Sequence, residues 1–186
     1  LSGGWAYSYN LSERLLWQTP DLVLEQIGLG PGHIMVDIGC GDGFFAIPAA
    51  RKVTPQGHIY ALDSSTEAIE QLRDNAQKTG ITNITAQAGD AAQYIFCNHC
   101  ADFVFMANVL HDFESPGKVL KCARTMLKPG GRVVDIDWKK EPDQLHGPPF
   151  YKRLSQKEAA ELLEQAGFRI IVNTLNPPFH YLLMAE

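Results

Sequence analysis

Seven short apolar runs, bounded by Gly, Pro and Asp, alternate along this chain with segments of helical period. Parallel strands need helical crossovers, so this alternation predicts an α/β fold on a mainly parallel sheet. The runs are His33–Ile38, His58–Leu62, Ile84–Gln87, Asp102–Ala107, Arg132–Trp138, Arg169–Leu175 and His180–Met184. Helix signals fall between them. Thr19 is read as a cap with Pro20 at the first helical position, and Phe44–Val53 as the next helix. Ser64 and Glu67 have capping-box spacing and open a helix to about Thr79; Lys118–Leu127 follows. Ser155 and Glu158 repeat the box and open the last helix, which runs to Ala166-Gly167. The final two strands are close enough for an antiparallel hairpin through Asn176-Pro177-Pro178-Phe179.

At 186 residues the chain has the length of one domain, expected to span 1–186. Lys and Arg number 16 against 21 Asp and Glu, a net charge of −5, which argues against a phosphate-backbone partner. Lys139-Lys140 and Lys152-Arg153 are the longest basic clusters and read as solvated surface. No run approaches the ~18–20 apolar residues of a membrane span, and residues 1–10 lack a signal-peptide pattern. Four cysteines are too few for a disulfide scaffold, so a soluble cytoplasmic protein is expected. Residues 139–153 lack periodicity and form a candidate substrate loop, because connections of that length often serve as lids or binding loops.

The most informative stretch is Asp37-Ile38-Gly39-Cys40-Gly41-Asp42-Gly43, where the first strand meets a helix. Glycines there let the backbone turn sharply and approach a ligand, and the helix start offers unpaired N–H groups. A dinucleotide fingerprint is G-x-G-x-x-G. Here the third glycine comes one residue early, and Phe44 fills the position where pyrophosphate would approach. A P-loop is excluded because no Gly-Lys-Ser/Thr follows.

These residues resemble the first motif of the class I S-adenosylmethionine-dependent methyltransferases, and the resemblance extends over nearly the whole chain. Asp63 at the end of the second strand looks like the acid that binds the ribose hydroxyls, with Ser64 beside it. Gly89-Asp90-Ala91 looks like the adenine-contacting turn. Asn108-Val109-Leu110-His111 looks like the active-site end of strand four, and Leu127 to Arg132 like the motif before strand five. The resemblance implies a Rossmann-like seven-stranded mixed sheet, strand seven antiparallel, with helices on both faces. It implies S-adenosylmethionine as cofactor and S-adenosylhomocysteine as product, held by Asp37, Gly39, Cys40, Gly41, Gly43, Asp63, Ser64, Asp90, Ala91 and Asn108. The subgroup it most resembles includes quinone-pathway C-methyltransferases and arsenite methyltransferases, so a small-molecule acceptor is expected.

The chemistry at those positions is consistent with that assignment. One carboxylate at a strand end accepts both hydrogen bonds of a ribose diol, as Asp63 would, and Asp90 would accept from an adenine amino group. Methyl transfer is an in-line displacement that needs a base only when the acceptor carries a proton. His111 is the candidate base and Asn108 a candidate contact to cofactor or substrate. Asp137, Trp138 and Lys139 are candidate acceptor-pocket residues. Residues 1–20 form a candidate lid, with Trp5, Tyr7 and Tyr9 facing the sulfonium through cation–π contact.

Two motifs are set aside. Asn-Pro-Pro-Phe resembles the motif of amino-methyltransferases acting on adenine or glutamine, but there it follows strand four; here it reads as a turn, which makes nucleic acid an unlikely partner. Cys97-Asn98-His99-Cys100 lacks the second pair of a zinc site, so no metal site is assigned. The rival readings are an NAD(P)-dependent oxidoreductase and a non-catalytic S-adenosylmethionine-binding module.

Overall fold

A computed structural model describes residues 11–144 and 146–186. Seven strands form one sheet: β1 Ile34–Ile38, β2 His58–Asp63, β3 Ile84–Ala88, β4 Ala101–Ala107, β5 Leu127–Trp138, β6 Ile170–Asn176 and β7 His180–Ala185. Their order is β3-β2-β1-β4-β5-β7-β6. The first five are parallel, while β7 runs antiparallel to both β5 and β6, as expected. The order reverses between β1 and β4. In open α/β sheets the crevice at that switch point, beyond the carboxyl ends of the strands, is where ligands bind.

Helices cover both faces. Helix α2 (Pro20–Gln26), α3 (Ala46–Lys52) and α4 (Thr66–Lys78) bury Leu24, Ala49 and Leu72 against one face. Helix α5 (Pro116–Met126) and α6 (Gln156–Gln165) bury Leu120, Met126 and Leu163 against the other. Strand β4 is apolar from Phe103 to Ala107 because both of its faces are covered there. Among the described residues no helix is long and apolar enough to cross a membrane.

The capping box at Ser155 and Glu158 is formed. The first box is displaced by one residue. Ser65, not Ser64, caps α4, its Oγ accepting from Ala68 N at 3.1 Å. Ser64 is thereby left on the cleft. Thr19 precedes α2 but makes no side-chain cap bond. Strand β5 starts at Leu127, five residues before the expected Arg132. The Asn-Pro-Pro-Phe segment joins β6 to β7, with Phe179 O accepting from Lys139 N. A short helix not expected from sequence, α1 (Leu11–Leu15), lies within the candidate lid. Trp5, Tyr7 and Tyr9 fall outside the described residues.

The reading of Lys152-Arg153 as solvated surface is corrected. Arg153 is only 4% exposed, and its guanidinium faces loop carbonyls instead of water.

Candidate active site

The glycine loop is built by the end of β1 and the residues after it. Gly39 N and Cys40 N both donate to Leu62 O, at 2.8 and 3.1 Å, which ties the loop to β2. Gly39 has φ +74, and a Cβ there would lie 2.7 Å from Val109, so this position admits glycine alone. Asp63 completes the tie: Oδ2 accepts from Gly41 N and Oδ1 from Ser65 N, both at 2.9 Å. Each carboxylate oxygen keeps further acceptor capacity for a diol.

Two adjoining cavities open beyond the strand ends. The larger, about 780 Å³, is lined by Asp63, Ser64, Asp90 and Ala91 among others. The smaller, about 200 Å³, is lined by Asp37, Cys40, Gly41, Asn108 and His111, with Arg14, Trp17 and Trp138. Gly39 and Asp112 border both. The structure thus divides the expected cofactor residues between the larger cleft and the smaller chamber. Gly43 borders neither; it packs against Ile47 and Leu72, where a Cβ would meet both at 3.1 Å. In the larger cleft, Asp90 already accepts from Ala92 N at 2.8 Å and Gln93 Nε2 at 2.7 Å, which fixes its carboxylate.

Two residues that line the smaller chamber, Asp37 and Asn108, and Gln18 beside Asn108 carry unmet polar demand. Asp37 Oδ2, Asn108 Oδ1 and Gln18 Nε2 are buried without hydrogen-bond partners. Buried polar groups rarely remain so, and such a set implies a ligand or water. Asp37 is pushed up to about 7, first by burial and then by Asp63, against a pull from Arg14. Asn108 has φ +59, a left-handed conformation that Asn tolerates, and its N still donates to Ile136 O at 2.8 Å. Its Nδ2 donates to Gln18 Oε1 at 3.2 Å, and Gln18 Oε1 also accepts from Arg14 Nε and Nη2 at 3.1 and 2.9 Å. Arg14 lies 3.7 Å over the Phe44 ring. Two orphan acceptors, one orphan amide donor and a guanidinium match the ammonium and carboxylate of a methionine tail. The residues therefore fit S-adenosylmethionine. Cys40, also in the chamber, is pushed far above the ordinary thiol range by burial and Asp37, so its thiol stays protonated and unreactive.

His111 lies in a 3-10 turn, Leu110–Asp112, directly after β4. Its Nδ1 donates to both Asp137 oxygens, at 2.8 and 2.9 Å, which leaves the Nε2 lone pair available. Nε2 is 3.5 Å from Asp112 Oδ2. Burial lowers the His111 pKa, but the hydrogen bond and charge of Asp137, aided by Asp112, outweigh burial and Lys152, and the result is raised. Asp137 is 1% exposed and also accepts from Trp138 N at 2.8 Å. Asp137, weighed from sequence as a pocket residue, instead orients the His111 ring. Lys139 pairs with Glu141 and borders neither cavity.

Sequence reasoning missed Arg14 and Gln18. Their i,i+4 spacing was the available signal, but a helix of five residues is too short to show a period. Cys97 and Cys100 form a disulfide in the loop before β4, at the opposite end of the strand from the site. Among the described residues no cluster of three or more His, Cys, Asp or Glu is placed to hold a metal.

The chain is similar to several known proteins. It is 26% identical to an arsenite methyltransferase of Halobacterium salinarum, over 86% of this chain and 47% of that protein. It is 28% identical to a demethylmenaquinone methyltransferase of Geobacillus kaustophilus, over 62% and 49%. It spans between a third and a half of the length of the curated relatives it matches. The crystal structure of a SAM-dependent methyltransferase from Aquifex aeolicus superimposes with a TM-score of 0.88 at 27% identity, covering 96% of this chain and 98% of that one. A family described as a methyltransferase domain matches residues 29–167. With that match joined to the strand order and the glycine loop, the chain belongs to the class I S-adenosylmethionine-dependent methyltransferase family.

Proposed function

We propose that this chain transfers a methyl group from S-adenosylmethionine to a small, proton-bearing acceptor. The observation that carries the reading is the convergence of Asp37 Oδ2 and Asn108 Oδ1, both unpartnered, on a chamber beside the Asp63–Asp90 cleft, with the unpartnered Gln18 Nε2 on the residue that holds Asn108. When bound, S-adenosylmethionine supplies an electrophilic methyl group on its sulfonium. Asp63 accepts the ribose hydroxyls, and Ser64, Asp90 and Ala91 flank the base. Asp37 and Asn108 receive the ammonium, while Arg14 and Gln18 face the carboxylate. These contacts fix the donor so that displacement is in line, and alignment of that kind is worth roughly 7–11 kcal/mol. Cytoplasmic location belongs to the same proposal.

His111 takes the acceptor's proton at Nε2. Asp137 holds the ring in the required tautomer and stabilises the imidazolium that forms. The same dyad disfavours a purely non-catalytic module, because storing a cofactor needs no oriented base. Trp17, Phe44 and Trp138 line the chamber and exclude water.

The test is formation of S-adenosylhomocysteine with a panel of thiols, phenols, quinols and arsenite, in wild type and His111→Gln. Turnover that falls at least tenfold in the variant, with S-adenosylhomocysteine affinity retained, supports the reading. Full activity in His111→Gln removes the base, and binding of NADH in place of either S-adenosyl compound overturns the reading altogether.

A further inference from the structure

Arg153 ends the long connection between β5 and α6, and its burial is unusual for a loop arginine. The guanidinium donates from Nε to Pro148 O at 2.7 Å. Nη1 reaches Glu141 O at 3.2 Å and Lys139 O at 3.4 Å. Nη2 reaches His146 O at 3.0 Å and Gln144 O at 3.1 Å. The described residues between 139 and 149 contain no helix or strand, so their carbonyls have no ladder to join. One planar cation with five donors gathers five described carbonyls from a single loop. Burying a charge is costly unless it is paired or hydrogen-bonded, and here the loop backbone supplies every acceptor named.

The gathered loop lies against the site. Pro148 and Lys152 line the smaller chamber. Gly147, at φ +92, sits so close to Trp138 that a Cβ would lie 2.6 Å from the indole. His146 stacks on Trp17 with ring centroids 6.2 Å apart. Lys152 Nζ is 3.1 Å from Asp112 Oδ1, and Asp112 Oδ2 is 3.5 Å from His111 Nε2. The charged groups facing His111 are thus Asp137 from β5, Asp112 from its own turn and Lys152 from this loop.

We infer that Arg153 is a positioning residue: by gathering the carbonyls of Lys139, Glu141, Gln144, His146 and Pro148 it holds this loop as the outer wall of the chamber and seats Lys152 beside Asp112 and His111. The loop thereby governs which acceptors enter, a role that rests on the methyltransferase reading. The wall itself does not rest on it.

The test uses Arg153→Gln, Arg153→Lys and Gly147→Ala in the full chain carrying Trp5→Phe, so that Trp17 and Trp138 are the remaining tryptophans. Three readouts are taken: acrylamide quenching of fluorescence, the His111 ring titration by NMR, and S-adenosylhomocysteine affinity by calorimetry. In Arg153→Gln the quenching constant is expected to at least double. The His111 midpoint should move upward, because burial and Lys152 both hold it down. Affinity should stay within about threefold of the parent. Arg153→Lys, which can reach fewer carbonyls, should fall between the two. Gly147→Ala should open the same wall with Arg153 intact, and it carries the test if Arg153→Gln does not fold. A folded Arg153→Gln, or failing that Gly147→Ala, with unchanged quenching and an unchanged His111 midpoint overturns the inference. Failure of the parent protein to bind S-adenosylhomocysteine defeats the methyltransferase reading instead and leaves the wall measurements standing.

Discussion

Replacing Asp37 by Asn should make the protein more stable and a poorer cofactor binder at once. Asp37 is 2% exposed, and its Oδ2 has no partner. Burial, then Asp63, raises its carboxyl to about 7, while the ordinary value is 3.8. The unfolded chain therefore releases this proton first. Wherever the unfolded state binds fewer protons, stability falls as pH rises, here from about 4 to about 7, and then levels off. The full penalty above pH 7 is at most about 4 kcal/mol. Asn escapes it but buries an amide with incomplete hydrogen bonding, at roughly 1–2 kcal/mol. The net gain expected at pH 8 is ~1–3 kcal/mol, and near pH 4 it should vanish. Affinity moves the other way, since the ammonium loses an ionised partner worth roughly 1.5–3 kcal/mol, or about 10–100-fold. In the wild type, binding should also strengthen as pH rises through 7, because the ligand favours ionised Asp37. Urea denaturation at pH 4 and 8, with calorimetry against S-adenosylhomocysteine, reads both quantities. An Asn variant that is less stable at pH 8 yet binds at wild-type affinity refutes the argument.

Asp137→Asn should reverse the pH dependence contributed by His111. In the wild type the raised folded pKa gives stability that is complete below 6.5 and lost as pH rises through the folded value. Without the Asp137 charge, burial dominates, and stability is lost instead as pH falls below 6.5; the pH-linked loss at pH 5.5, one unit below, is at most about 1.4 kcal/mol, read by denaturation at pH 5.5 and 8.5. Asp63→Ala removes the tie to Gly41 N and Ser65 N along with the diol acceptor, and S-adenosylhomocysteine affinity should drop at least tenfold by calorimetry. Ser155→Ala deletes the cap of α6 and should cost about 1 kcal/mol in thermal or urea unfolding while leaving cofactor binding unchanged.

The sheet was legible because its signals are local and redundant. Each strand is an apolar run with a turn residue at its end, and Gly39, Asp63 and Asp90 mark the ends of the first three. A one-residue ambiguity between Ser64 and Ser65 is beyond local reading, since either can cap and only the register of Asp63 decides. Asn108 and His111 were located by their place after β4. Asp137 as the partner of His111 was not, because strand-end residues from β4 and β5 meet only through the sheet. Arg153 was misread for a similar reason. Its five described acceptors are backbone carbonyls, which leave no trace in side-chain sequence. Gln18 and Arg14 acquire meaning only when Arg14 of α1 lies over Phe44 and Gln18, beyond the end of that helix, meets Asn108.

The most direct measurement is calorimetric titration of the wild type with S-adenosylmethionine and S-adenosylhomocysteine, with NADH as a control. A 1:1 interaction with both S-adenosyl compounds, weakened in Asp63→Ala and in Asp37→Asn and absent for NADH, is the predicted result. Binding of NADH with no heat from either S-adenosyl compound would contradict the account.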